Sequence, residues 1–206
     1  MESRIYEKMQ YHYFKPDGLE AGEKYPLLIY VHGAGGRGHD LSIVTFPYRL
    51  ESYVKDHSMK MIIAAPLCEY DNWFSCFSEL IAWVKYMSTS EQVDPDRVYV
   101  MGSSMGGFAT WQLLECIPEV FAAAAPVCGG GMAWNAYRMK DIPIRAFHGA
   151  LDTAVDPSES KKMVDMVNAT GGHAELIMFP NASHNAWDPA IDQTDLMEWF
   201  LKQRRA

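Results

Sequence analysis

Ser104 stands between two glycines, in Gly102-x-Ser104-x-Gly106, and its neighbours are of the types that could make it a nucleophile. Residues 98–101, Val-Tyr-Val-Met, run straight into the glycine, and residues 108–116 continue in a helical pattern. That succession reads as strand, sharp turn and helix, with the serine at the turn. Such a turn forces the serine backbone into a sparsely populated conformation, and glycines at the flanking positions leave room for the close approach. The hydroxyl would then stand alone at the top of a sheet, above the free N–H groups of a helix N-terminus. The plainer alternative is a Gly/Ser-rich loop. The strand before and the helix after favour a nucleophile built to attack a carbonyl.

A serine needs a base, and the base needs an orienting acid. The elements that would position them follow from the apolar pattern. Residues 6–14 read as one or two edge strands, 27–32 and 61–66 as strands buried on both faces, and 79–88 as a helix. Residues 94–96, Asp-Pro-Asp, read as a turn before the serine strand, 121–127 as the next strand and 132–139 as a short insert. After these come a strand over 142–148, a helix to about 169 opened by Asp156 and Pro157, a strand over 174–179 and a terminal helix over 189–203. Strands alternating with helices at short spacing make a mostly parallel twisted sheet covered on both faces, in one domain spanning 1–206.

In such a sheet, the loops that can meet leave the C-terminal ends of the strands. Asp141 precedes its strand, and Asp156 is explained as a helix cap. Asp152, a few residues past a strand end with no comparable structural task, is the favoured acid over Asp156. Of the histidines, His184 follows the last strand and is the favoured base. His148 abuts its strand as a packed residue, His173 precedes a strand, and His12, His39 and His57 read as surface or loop residues. The glycine-rich loop after residues 27–32, His-Gly-Ala-Gly-Gly-Arg-Gly, has neither G-K-[ST] nor G-x-G-x-x-G, which argues against a phosphate cradle. Trp73, Trp134, Tyr137 and Trp187 fall in loops after strands or near the triad, and together suggest an aromatic rim for substrate.

The 206 residues are 49% hydrophobic, enough for a substantial core, and carry a net charge of −8. No basic run interrupts that charge, so nucleic acid and anionic membranes are poor partners. No apolar run approaches the length of a membrane span or signal peptide, which gives a cytoplasmic location as the expectation. The four cysteines lack C-x-x-C spacing and read as core residues in a reducing compartment, Cys68 and Cys76 being able to pair in an oxidising one. None of the seven histidines has metal-ligand spacing, so neither metal nor cofactor is expected. The oligomeric state is left open, a homodimer included.

Six separated segments, PLLIYVHGAGGRG, AAPLCEYDNW, DPDRVYVMGSSMGGFATW, FAAAAPVCGG, IPIRAFHGALDTAVDP and ASHNAW, resemble in sequence and order the small carboxylesterases of the α/β-hydrolase superfamily. The chain is most similar to the dienelactone-hydrolase-like and prolyl-oligopeptidase-like branch. The resemblance implies an α/β-hydrolase fold without a cap domain, Ser104 as nucleophile, Asp152 as acid and His184 as base, in the Ser, Asp, His order of that fold. Backbone N–H groups of Ala34 and Met105 would form the oxyanion hole, the former from a loop resembling the HGGG type. It further implies hydrolysis of small acyl or aryl esters through an acyl-enzyme. Dienelactone hydrolases carry a cysteine where this chain has Ser104. A peptidase of the prolyl oligopeptidase type and a non-catalytic hydrolase-like binding protein are the alternatives.

Overall fold

The computed structural model describes residues 1–20 and 22–205. Its centre is an eight-stranded sheet in the order β1-β2-β4-β3-β5-β6-β7-β8. The strands are β1 (Glu2–Tyr6), β2 (Met9–Phe14), β3 (Tyr25–Val31), β4 (Ile62–Pro66), β5 (Val93–Ser103), β6 (Ala123–Val127), β7 (Ile144–Gly149) and β8 (Ala174–Phe179). The β1–β2 and β2–β4 pairs are antiparallel and the rest parallel, as the short alternation of elements requires. Only β1 is an edge on that side, since β2 pairs on both flanks.

The strand sequences explain the two layers of core. In β3, Leu27, Ile29 and Val31 point to one face and Leu28 and Tyr30 to the other; in β5, Val98 and Val100 oppose Tyr99 and Met101. On the first face lie α2 (Phe77–Ser88), α3 (Met105–Cys116) and α4 (Ser158–Ala169); on the second lie α1 (Phe46–Asp56), α5 (Trp187–Asp192) and α6 (Leu196–Lys202). With apolar neighbours on both faces, these strands must read as continuous apolar runs rather than alternating ones.

Three sequence expectations are corrected here. The Asp94–Asp96 turn lies inside β5: pairing steps from Tyr25↔Val93 to Leu27↔Val98, so the extra residues bulge, and Asp94 Oδ1 accepts the Asp96 N–H at 3.1 Å. The Asp-Pro-Asp turn chemistry is present, but it makes a bulge within the strand and not an end. The terminal helix is two helices, because Thr194 interrupts it. Its hydroxyl donates to Ala190 O at 2.6 Å and accepts the Leu196 N–H at 3.2 Å, restarting the chain as α6. His12 is buried in β2, not on the surface, with its ring against Leu41 O at 3.0 Å.

Candidate active site

Ser104 sits between β5 and α3 with φ 55° and ψ −118°, a region non-glycine residues avoid. Strain of this kind costs about 1–3 kcal/mol and persists only when the surroundings over-determine it. Here Ser104 N–H donates to Val127 O at 2.8 Å and Ser104 O accepts from Phe108 at 3.0 Å. Gly106 is required for packing: a Cβ there would run into the Val31 and His32 carbonyls of β3 and its loop.

The structure brings the three sequence candidates together. His184 Nε2 lies 2.9 Å from Ser104 Oγ, and His184 Nδ1 lies 2.7 Å from Asp152 Oδ2. With Nδ1–H donating to the carboxylate, Nε2 is free to accept the serine proton. The loops carrying Asp152 and His184 are bound to each other, Leu151 N–H donating to Ala182 O at 3.0 Å and Ala150 N–H to Phe179 O at 2.9 Å. Gly149 allows this, since a Cβ would strike the Ser183 carbonyl. Burial alone would raise the Asp152 pKa. The bond from His184 and the N–H groups of Val155 and Ala154, at 3.0 and 2.8 Å from Oδ1, outweigh it and hold the carboxyl below its usual range. Asp156 is exposed and accepts only the Ser158 N–H, at 2.8 Å, the helix-capping task read from sequence.

Beside Ser104 and His184 opens a cavity of about 470 Å³ whose walls include Ala34, Tyr30, Ile43, Phe46, Ser103 and Trp187. Ala34 lies on the wall, and Met105 opens α3, so its N–H belongs to the helix turn that has no intrahelical acceptor. The Met105 side chain itself packs against the core. Trp187 stands edge-on to the His184 ring at 5.5 Å between centroids.

The other three aromatics are placed differently from the expectation. Trp73 is fully buried and donates its indole N–H to His32 O at 2.9 Å, so it braces the glycine loop from beneath instead of meeting substrate. Trp134 and Tyr137 are 73% and 55% exposed and do not line this cavity. The cause is the 3-10 helix Ala133–Met139: at three residues per turn, Ala133, Ala136 and Met139 share the buried side, which turns 134 and 137 outward. The lining residues Tyr30 and Phe46 escaped sequence reading because one sits in a strand and the other opens a helix. Only the fold reveals that they face Ser104.

His32 also has a structural role that its place in the glycine-rich loop does not announce. Its Nε2 accepts the Cys68 N–H at 3.0 Å, so Nδ1 carries the proton and donates to Gly33 O at 2.7 Å. The ring thereby fixes the loop that carries Ala34. Burial disfavours its cation and lowers the pKa to about 4, against a weaker opposing effect of the Gly33 bond. The sign follows: below about pH 6.5 the unfolded chain takes up a proton the folded chain refuses. Stability from His32 is therefore full above about 6.5 and is lost as pH falls towards 4. At pH 5 the loss should be on the order of 2 kcal/mol, several degrees in Tm. Melting curves between pH 7 and 5 should show a shallower slope for His32→Gln; equal slopes would contradict this.

Cys128, at φ 48°, donates its thiol to His184 O at 3.2 Å, and burial pushes its pKa up to about 12. Cys128, Asp152 and His184 present ligand-type atoms within 4.8 Å of one another. Asp152 and His184 are engaged with each other, however, at 2.7 Å. Cys68 and Cys76 are free thiols with sulfurs 3.9 Å apart. No described helix is long and apolar enough to cross a membrane.

A mostly parallel eight-stranded sheet with helices on both faces and a strained serine between β5 and α3 is the α/β-hydrolase fold. The chain belongs to the prolyl oligopeptidase family, which it matches over residues 68–145 and 130–205. It is 28% identical over 132 residues to feruloyl esterase B of Neurospora crassa, covering 56% of this chain and 42% of that protein. It superposes on the crystal structure of a thermostable esterase with a TM-score of 0.84 and 28% identity, over 96% of this chain and 60% of that one. A dienelactone hydrolase-like protein from Klebsiella pneumoniae subsp. pneumoniae MGH 78578 shares the fold, with a TM-score of 0.72 at 19% identity over 95% of this chain and 94% of that one. The chain thus spans less than two thirds of the feruloyl esterase and of the thermostable esterase.

Proposed function

We propose that the protein is a serine esterase that hydrolyses small acyl or aryl esters through an acyl-enzyme on Ser104. The observation that carries this reading is the continuous chain from Ser104 Oγ to His184 to Asp152, at 2.9 and 2.7 Å, at the wall of a mostly apolar cavity. His184 Nε2 takes the serine proton as the hydroxyl attacks the ester carbonyl. Asp152 holds the productive tautomer and stabilises the imidazolium. The N–H groups of Ala34 and Met105 receive the oxyanion, and loss of one such donor typically costs about 100–1000-fold in turnover. His184 then returns the proton to the departing alcohol, and water releases the acyl group by the reverse route.

The cavity supports the choice of substrate. Tyr30, Phe46 and Trp187 offer aromatic faces, and a volume of about 470 Å³ suits a short acyl chain or one aromatic ring. A panel of nitrophenyl esters should give the highest kcat/KM for acetyl to butyryl or aromatic acyl groups; activity that rises towards long chains would overturn the reading. Phe46→Ala should lower kcat/KM for the best ester about tenfold, the worth of part of a buried ring. Trp134→Ala and Tyr137→Ala should stay within about twofold of wild type, by the exposure argument above. The family match favours a second reading, the same chemistry on an amide. Acylaminoacyl nitroanilides in the panel separate the two, because an amide leaving group demands closer positioning.

A further inference from the structure

Beside Asp152 lies a second histidine that the mechanism above does not use. His148, next to last in β7, has none of its surface exposed. Its Nε2 is 3.0 Å from Val155 O and 3.2 Å from Asp152 Oδ2, the same oxygen that accepts from His184. A carbonyl only accepts, so Nε2 carries a proton and donates it to Val155 O, with Asp152 Oδ2 lying beside that N–H at 3.2 Å. The other nitrogen, Nδ1, is 2.8 Å from Ser160 Oγ, which in turn donates to Gly129 O at 2.8 Å. Hydrogen bonds thus tie Gly129 after β6, Ser160 of α4, His148 of β7 and Val155 together, and this set places the His148 Nε2–H 3.2 Å from the Asp152 oxygen that accepts from His184.

We propose that His148 is a positioning residue for Asp152: its Nε2–H, anchored on Val155 O, sets a positive edge 3.2 Å from Oδ2 and limits how strongly that oxygen attracts the His184 proton. This rests on the functional reading of Ser104, His184 and Asp152 given above. Oδ1 is already fixed by two backbone N–H groups, so His148 decides where Oδ2 points and how basic it is. His184 is the hydrogen-bond partner of Oδ2, and without the nearby N–H of His148 the charge on that oxygen acts on His184 alone. The imidazolium is then held more tightly, and the base takes up protons at higher pH. The titratable groups around the pair are Asp152 and Asp156 on the loop after β7, Cys128 after β6 and His184 after β8. Glu159 of α4 turns to Gly130 instead.

Three variants test this: His148→Leu removes both bonds, His148→Gln keeps an amide donor, and Ser160→Ala leaves the ring but frees its Nδ1 end. The readouts are kcat and KM for a nitrophenyl ester, the acidic limb of kcat/KM against pH, and the rate at which an aryl phosphonate labels Ser104. His148→Leu should lose about 10–100-fold in kcat with KM within about twofold, a range typical of partners that orient a reacting group. Its acidic limb should move to higher pH, and phosphonate labelling should slow in parallel. Ser160→Ala should move the same way by a few-fold, and His148→Gln should recover most of both changes. Melting curves identify any variant that fails to fold, and Ser160→Ala then carries the test, its cavity being one hydroxyl in size. An unmoved acidic limb and unchanged kcat in folded Ser160→Ala and His148→Gln, with a loss in His148→Leu confined to stability, would overturn the proposal. Failure of the wild-type chain to label at Ser104 would instead overturn the functional reading, and the proposal with it.

Discussion

Replacing Ser104 by alanine should abolish ester hydrolysis, with a fall in kcat on the order of a million-fold, while the protein stays folded. Removing a triad serine costs about that much because the remaining base and acid act only through it. The packing cost is small, as the side chain is half-buried and the backbone bonds at the turn do not involve Oγ. Ser104→Gly separates activity from stability more sharply. With φ at 55° and ψ at −118°, the serine pays strain that glycine does not. The glycine variant should therefore be equally inactive and melt a few degrees higher, since about 1 kcal/mol is worth about 2–4 °C in a chain of this size. A serine-directed phosphonate should label wild type once, at Ser104. Activity near wild type in either variant, or labelling at Ser103, would move the nucleophile elsewhere.

What was legible in the sequence was whatever depends on local backbone chemistry and on chain order. Gly102-x-Ser104-x-Gly106 announces its turn because no other residues fit there, and Asp152 and His184 are placed by following strand ends. The binding surface was not legible to the same degree. Trp134 and Tyr137 are large aromatics in a loop near the site, but the 3-10 spacing that buries Ala133, Ala136 and Met139 turns both to solvent. Trp73 has the same composition signal and the opposite fate, because its N–H is needed by His32 O at the base of the glycine loop. Conversely, Tyr30 has the pattern of an ordinary strand residue, yet its hydroxyl lies 2.7 Å from Ser103 Oγ, next to Ser104. Side-chain direction over a whole fold decides these cases, and periodicity within one element cannot supply it.

The acid gives the second large effect. Asp152→Asn should lower kcat by about 10⁴-fold with KM little changed, and the reason lies in which atoms can donate. Oδ1 of Asp152 accepts from Ala154 and Val155 N–H at 2.8 and 3.0 Å, so the asparagine carbonyl must take that side. Its NH₂ group then faces His184 Nδ1 and donates to it. The imidazole is driven to the other tautomer, with its proton on Nε2, where a base is needed to accept from Ser104 Oγ. The nucleophile stays in place with no group to deprotonate it. Activity lost in this way should return in part at high pH, as hydroxide replaces the base. Asp156→Asn provides the contrast. That carboxylate is exposed and caps α4 through the Ser158 N–H, a task asparagine performs nearly as well, so kcat should stay within about twofold and Tm within about a degree. Measuring kcat, KM and melting for both variants decides the matter, and the reverse ranking would assign the acid to Asp156.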